Sequence, residues 1–341
     1  MAKIRSLALR DIPKIKKMVS LMSNISSADC GFGYSMCVPF PVNIINKILP
    51  LKFKFTSDSY VAIEENKLSG LVMLKPQKNN PQSWRISKLF LDENGYDIGR
   101  QLVSYAVVKY GAMGANTFCA KVDEDNEELL ELFSKGCGFR ACASEQLWQL
   151  KEVKLQSSSL DKGFFRPYKD SDAKTIAGIY NDLIFPHFRY SLSKMPQEFA
   201  PDICAGLSST SCFRYVIEDS SKNSIKGFVT IKTSDNKNFV LSVNLVSAFD
   251  EYLPDAINFA ISQIMIRKKH FNLYIKNKKY HTCGSKIEKY LKENGFENVQ
   301  TRIVLVKDYY KRIHEDERSS KPAIAFSEIN RNPAFKTSLE M

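Results

Sequence analysis

At 341 residues the chain exceeds what one hydrophobic core usually organises, so two domains of about 150 residues are expected. Hydrophobic residues at 44% and charged residues at 25% exclude wholesale disorder, and no stretch nears the roughly 20 consecutive apolar residues of a membrane-spanning helix. The net charge of +12 draws polyanions, whether nucleic acid, anionic membrane or phosphorylated cofactor, without choosing among them.

Met1 to Arg10 lacks the apolar run and cleavage site of a secretory leader, which makes a cytoplasmic location the expectation. A first strand, Ile4 to Leu9, leads into Asp11 and an amphipathic helix to Ser23. β-branched alternation around a polar turn at 60–75 predicts a hairpin, and a third strand follows at Arg85 to Leu91. Helical spacing covers Ile98 to Lys109, a strand Thr117 to Val122, and a second helix ends at Gly138-Phe139. Gln146 to Leu150 closes this set as a strand.

The same order then returns. Phe164 to Tyr168 is a strand followed by Asp170 and a helix to Leu183; a hairpin spans 215–232 and a strand Phe239 to Phe249. A helix at Pro254 to Lys269, a strand at Phe271 to Lys276, a helix ending at Gly295-Phe296 and a strand at Arg302 to Val306 complete it. One offset relates Gly70 to Gly227 and Gly138 to Gly295, and nearly the same offset relates Asp11 to Asp170, as a duplication requires. The domains expected are 1–152 and 163–312, with a Ser-rich linker at 153–162 and a polar tail at 313–341.

Eight cysteines form no CxxC pair and the four histidines form no metal signature, so reduced, buried thiols and no metal are expected. The basic, aromatic stretch at 267–281 could track a nucleic-acid backbone, but a solvated basic face at a helix end ranks above that reading. His281 and Cys283 show no orienting carboxylate for a nucleophile pair.

This order of elements resembles the GNAT N-acetyltransferase fold, over 1–152 and more faintly over 163–312. The resemblance implies an α/β (α+β) architecture of two tandem GNAT-like domains, each a mixed, mostly antiparallel sheet flanked by helices. It also implies an acetyl-CoA cosubstrate, whose pyrophosphate meets a loop of Arg or Gln, two residues, Gly, one residue, Gly or Ala, ahead of a helix N-terminus. "KLFLDENGYDIGRQLV" at 88–103 is similar to that unit: Asn94 stands at the Arg/Gln position, Asp97 at the first Gly and Gly99 at the last small residue, with Gly95 displaced. Phe90, Leu91, Asn94, Gly95, Asp97, Ile98, Gly99 and Arg100 are therefore the implied cofactor-binding residues, and a side chain at Gly99 is expected to collide with phosphate oxygens. "VNLVSAFDEYLPDAINFAI" at 243–261 has no glycine at this place, so the C-terminal copy reads as degenerate.

In the family an Asn near the start of the last helix and a Tyr two turns on approach the CoA sulfur. The N-terminal copy offers Asn126 and Phe133, with one residue more than usual before Gly138-Phe139; the C-terminal copy offers Cys283 and Tyr290. Acyl transfer needs a base and an acid. Asp92 and Asp123 are the candidate bases and Tyr96, with Tyr105 as a second phenol, the candidate acid. The resulting expectation is an N-acyltransferase acting on an amine-bearing small molecule or protein, against an inactive GNAT-fold binding or regulatory protein. The duplication also allows a monomer with an internal pseudo-dimer.

Overall fold

The structure, a computed structural model, describes residues 2–15, 58–65, 67–77, 80–92, 95–150, 164–200, 211–219, 224–233 and 235–309. The expected linker, the tail, Asn94, and most of the first helix lie outside the described residues.

The N-terminal half contributes β1 (Lys3–Ser6), β2 (Asp58–Glu64), β3 (Lys67–Gln77), β4 (Asn80–Leu91), α1 (Tyr96–Ala112), β5 (Thr117–Asp123), α2 (Glu127–Glu131) and β6 (Arg140–Leu150). The C-terminal half contributes β7 (Phe165–Pro167), α3 (Ala173–Leu183), α4 (Arg189–Leu192), β8 (Ser211–Asp219), β9 (Ser224–Thr233), β10 (Asn238–Leu245), α5 (Leu253–Met265), β11 (Asn272–Lys278), α6 (Gly284–Glu293) and β12 (Phe296–Asp308). The fold is mixed α/β. No helix among the described residues is long and apolar enough to cross a membrane.

All of these strands join one 12-stranded sheet of order β1-β2-β3-β4-β5-β12-β6-β11-β10-β9-β8-β7. The order is palindromic under exchange of β1–β6 with β7–β12, which is the duplication written in hydrogen bonds. Its centre carries a feature the sequence order does not suggest. β12 lies between β5 and β6, antiparallel to both, while β6 pairs with β11, so each half's closing strand completes the other half.

Both halves anchor their first strand in the same way. Asp11 accepts two bonds from Arg5, each 2.7 Å, and one from the Ala8 N–H; Asp172 accepts two from Arg166, at 2.9 and 3.0 Å, and one from the Lys169 N–H. These bidentate pairs fix strand against turn. The partner of Asp11 in the duplication is therefore buried Asp172 and not Asp170, which is exposed two residues earlier. At the other end of each half Gly138 (φ 69°) and Gly295 (φ 76°) terminate helices in the left-handed region, where a side chain is strained.

Helix α1 buries Ile98, Leu102, Ala106 and Tyr110 against β3, β4 and β5 because these positions recur at helical spacing on one face. The extra residue before Gly138 is absorbed as a π-turn, Leu132–Gly136, directly after α2.

Candidate active site

Two openings in the sheet are related by the duplication. β4 and β5 run parallel and pair only at Ser83, Trp84 and Arg85 with Thr117, Phe118 and Cys119, then part. Beyond that point the edge of β4 facing β5 makes no ladder with it. α1 begins just past this opening. Its Gly99 N–H donates to the Gly95 carbonyl at 2.8 Å, so the amides of Tyr96, Asp97 and Ile98 precede the first helical bond. Such a turn is electropositive and suits an anion.

The residues singled out from the sequence divide into three groups. Tyr96, Asp97 and Arg100 are exposed on the first turn, and Arg100 stands 3.2 Å from Asp97, countering its charge. Asp92 and Asp123 stand at the ends of β4 and β5, the two lips of the opening; Asp92 is held by Lys67 at 2.5 Å, and the Asp123 carboxylate accepts from the Gln300 side-chain amide. The third group packs inward. Phe90, Leu91, Ile98 and Phe133 are buried, and Phe133 is fully enclosed with its ring edge-on to Phe139 at 5.2 Å. Asn126 caps α2 by accepting from the Leu129 N–H at 3.0 Å. Tyr105 packs edge-on against Tyr60.

Gly99 corrects an expectation. A Cβ there would stand 2.7 Å from Leu132 Cδ2 and 2.8 Å from Leu91 Cδ1, so this glycine serves helix–core contact and its missing side chain points away from the exposed first turn. Gly95, the residue ahead of α1, would press a Cβ to 2.7 Å from the Asp92 carbonyl oxygen. Gly99→Ala is expected to lose about 1–3 kcal/mol by overpacking, measured by urea unfolding, with acetyl-CoA affinity of the folded protein changed less than twofold. A tenfold affinity loss at unchanged stability would reverse this assignment.

The second opening lies between β10 and β11, which pair in parallel from Asn238 to Leu241 and then part. Here Lys278 reaches across the gap, its ammonium 3.0 Å from Asn244 Oδ1 and 3.5 Å from Ser242 Oγ. On the α5 side a cavity of about 10 Å³ lies among Val243, Leu245, Leu253, Cys283 and Ile287, room for no more than a water, with the Asp250–Lys286 ion pair (2.9 Å) at its edge. α5 carries Pro254 in its first turn, which removes an amide. Burial pushes the Cys283 thiol up to about 11, the opposite of an activated nucleophile.

On the other face of the same opening is a cavity of about 310 Å³, lined by β6, β8 to β12, α3 and the turn Pro196–Glu198. Below it Glu145 of β6 is buried between Lys121 (2.7 Å) and Lys276 (2.5 Å) and accepts from the Tyr280 hydroxyl at 2.8 Å, which lies 3.3 Å from that of Tyr180. Burial works to raise the Glu145 pKa, but the two ammonium groups hold it well below the usual range, so it is a carboxylate.

Sequence reasoning missed this cavity. The basic stretch 267–281 is divided by strand alternation: Lys276 and Lys278 line the cavity, whereas Lys279 pairs with Glu288 outside and Lys268, Lys269 and His270 face solvent. The readable signal was the Lys-x-Lys alternation within a strand.

No protein-family model matches the chain, and no curated protein matches it. Solved structures do. A tandem GNAT protein from the clavulanic acid biosynthesis pathway aligns with TM-score 0.59 at 12% identity, covering 92% of this chain and 100% of that one. A GCN5-related N-acetyltransferase from Sphaerobacter thermophilus aligns with TM-score 0.57 at 9% identity over 92% of this chain and 97% of its own. A third, named a putative acetyltransferase, from Pyrococcus horikoshii, gives TM-score 0.53 at 12% identity over 91% of this chain and 90% of its own. At these identities the likeness is one of fold.

Proposed function

From the tandem GNAT fold of this chain as premise, we propose that it is an acetyl-CoA-dependent N-acyltransferase, with residues 1–152 as the cofactor-binding half and 163–312 as a partner half that has lost the cofactor. The observation that carries this reading is the contrast between the two openings. The one beside α1 ends under an exposed helix turn whose amides precede the first helical bond, and the one beside α5 is bridged by Lys278, with a cavity of about 10 Å³ on its α5 side.

When bound, acetyl-CoA supplies an activated acyl thioester. The first-turn amides of Tyr96, Asp97 and Ile98 receive its pyrophosphate, and the freed edge of β4 around Phe90 and Leu91 offers backbone amides to the acyl carbonyl. Asp97 is tolerable there because Arg100 offsets it. Of the two carboxylates at the lips, Asp92 is engaged by the Lys67 ammonium, which leaves Asp123 as the better-placed acceptor of the amine proton. Phe133 has no hydroxyl and is enclosed, so the thiolate is reprotonated by solvent or by Tyr96, whose phenol is half exposed on the first turn.

Calorimetric titration with acetyl-CoA tests the reading: one site per chain is expected, and no heat at millimolar cofactor sinks it. Asp97→Lys replaces an exposed anion with a cation beside the pyrophosphate and is expected to tighten acetyl-CoA about three- to tenfold at low salt, fading as salt rises. An unchanged or weaker affinity in that variant places the cofactor elsewhere. Release of CoA above hydrolysis background with a panel of amines then identifies the acceptor class.

A further inference from the structure

We infer that the 310 Å³ cavity of the C-terminal half is a binding site for a small, multiply charged oxyanion, a phosphate ester or a polycarboxylate. This site is separate from the acetyl-CoA opening and does not depend on it.

Charge balance is the first ground. The described lining residues include six cations, Lys194, Arg214, Lys232, Lys276, Lys278 and Arg302, against the carboxylates Glu145 and Glu198. Glu145 is already committed to Lys121 and Lys276. Glu198 accepts from the Met195 N–H at 3.2 Å; burial raises its pKa while Lys194 opposes the rise, so it serves as counter-charge for Lys194. Three of these cations contact neutral groups. Arg214 donates to the Phe199 carbonyl at 2.9 Å, Lys278 to Asn244 and Ser242, and Lys194 lies 4.8 Å from the centre of the Tyr180 ring. Among the described residues neither Lys194 nor Lys232 makes an ion pair.

Gathering more cations than carboxylates in an enclosed space is costly, and these lysines register the cost. Burial brings Lys194 down to about 8, with Glu198 opposing the fall and Arg85 and the neighbouring lysines adding to it; burial with Lys276, Arg85 and Arg214 lowers Lys232, and burial with Lys194 and Lys276, against Glu145, lowers Lys278 well below its ordinary value. A solvated basic face would show no such shifts. A structural role is equally poor as an explanation, since a hydrophobic lining would close this space at lower cost. An oxyanion with two or more charges would satisfy several of these donors together.

Size and shape set the class. The volume matches about ten waters and lies at the lower end of small-molecule sites, which excludes a polymer. Tyr168, Tyr180, Tyr215, Phe199 and Phe228 supply aromatic walls around the cations, and the Tyr168 hydroxyl is buried in this lining with no hydrogen-bond partner. The ligand is thus an anionic head on a compact body.

The test titrates the full chain calorimetrically with inorganic phosphate and with citrate, using acetate as the singly charged control. One site per chain is expected, at least thirtyfold tighter for phosphate or citrate than for acetate, and the preferred probe identifies the source of the charge. Lys232→Met and Lys278→Met should each weaken that probe at least tenfold while leaving acetyl-CoA affinity unchanged. Both variants, without ligand, should melt at or above the parent temperature, because each removes a repelling charge. Affinity should also fall at least tenfold from pH 7.5 to 9.5. The sign follows from Lys194: bound anion favours its charged form, which is lost as pH rises through about 8. No heat with either probe at 5 mM, binding that survives both substitutions, or a flat pH response overturns the assignment. Failure of acetyl-CoA to bind would leave it untouched.

Discussion

Glu145→Ala is expected to destabilise the protein by about 3–5 kcal/mol, a third or more of the stability of an ordinary domain, because it leaves buried charge uncompensated. The carboxylate is 4% exposed, stands between Lys121 and Lys276, and accepts the Tyr280 hydroxyl. Deleting it removes the carboxylate that two ammonium groups share at the centre of the sheet and leaves the Tyr280 hydroxyl only its contact with that of Tyr180. Urea unfolding should show the loss as a lower midpoint with an unchanged slope. Because the penalty comes from the abandoned cations, the triple variant Glu145→Met, Lys121→Met, Lys276→Met should recover most of it. A recovery under one kcal/mol would mean that the carboxylate's own contacts, and not the stranded charges, hold the sheet together. The folded pKa of Glu145 is depressed, so its contribution is present above the unfolded value near ~4.3 and is lost as pH falls through the lower folded value.

The second large effect is on acid stability and originates at His281. It is 3% exposed, its ring edge-on to Tyr180 at 4.9 Å and Tyr280 at 5.0 Å, and among the described residues its Nε2 has no hydrogen-bond partner. Burial, reinforced by the charge of Lys278 and opposed by Glu145, pushes its pKa down to about 2. Between there and the unfolded value near ~6.5 the unfolded chain binds one proton more than the folded chain. Stability therefore falls as pH drops through that window, by about 1.4 kcal/mol per unit from this residue. Lowering pH from 6.5 to 4.5 should remove about 2.3 kcal/mol that His281→Phe retains, read as the difference between the two proteins' stability–pH curves. Parallel curves would show that the ring is charged in the folded state.

The duplication and the element order were legible because they are local. Gly138-Phe139 and Gly295-Phe296 report a backbone conformation that few other residues adopt, and the strands and helices carry their periods in the residues themselves. Pairing Asp11 with Asp170 failed for the same reason: the sequence shows an acidic residue at a turn, whereas only the Arg166 side chain selects Asp172. The strand exchange was invisible because alternation tells which face a residue occupies, not which strand lies beside it. Phe133 and Gly99 were read as cofactor contacts when burial assigns them to packing. The cavity lysines come from the turn after α4, β9 and β11, separated in sequence and joined only by the fold, so no motif could announce them.

The interposition of β12 between β5 and β6 also determines when this protein can become itself. In the finished sheet β5 and β6 are not paired with each other, because β12, the last strand in chain order, lies between them. Vectorial, half-by-half maturation is thus closed to it, in contrast to the usual course for tandem domains. Until residues 296–308 are made, neither half has the strand that joins the two in the finished sheet. Gene fission between the halves, which many duplicated proteins tolerate, would here yield two fragments that mature only in each other's company.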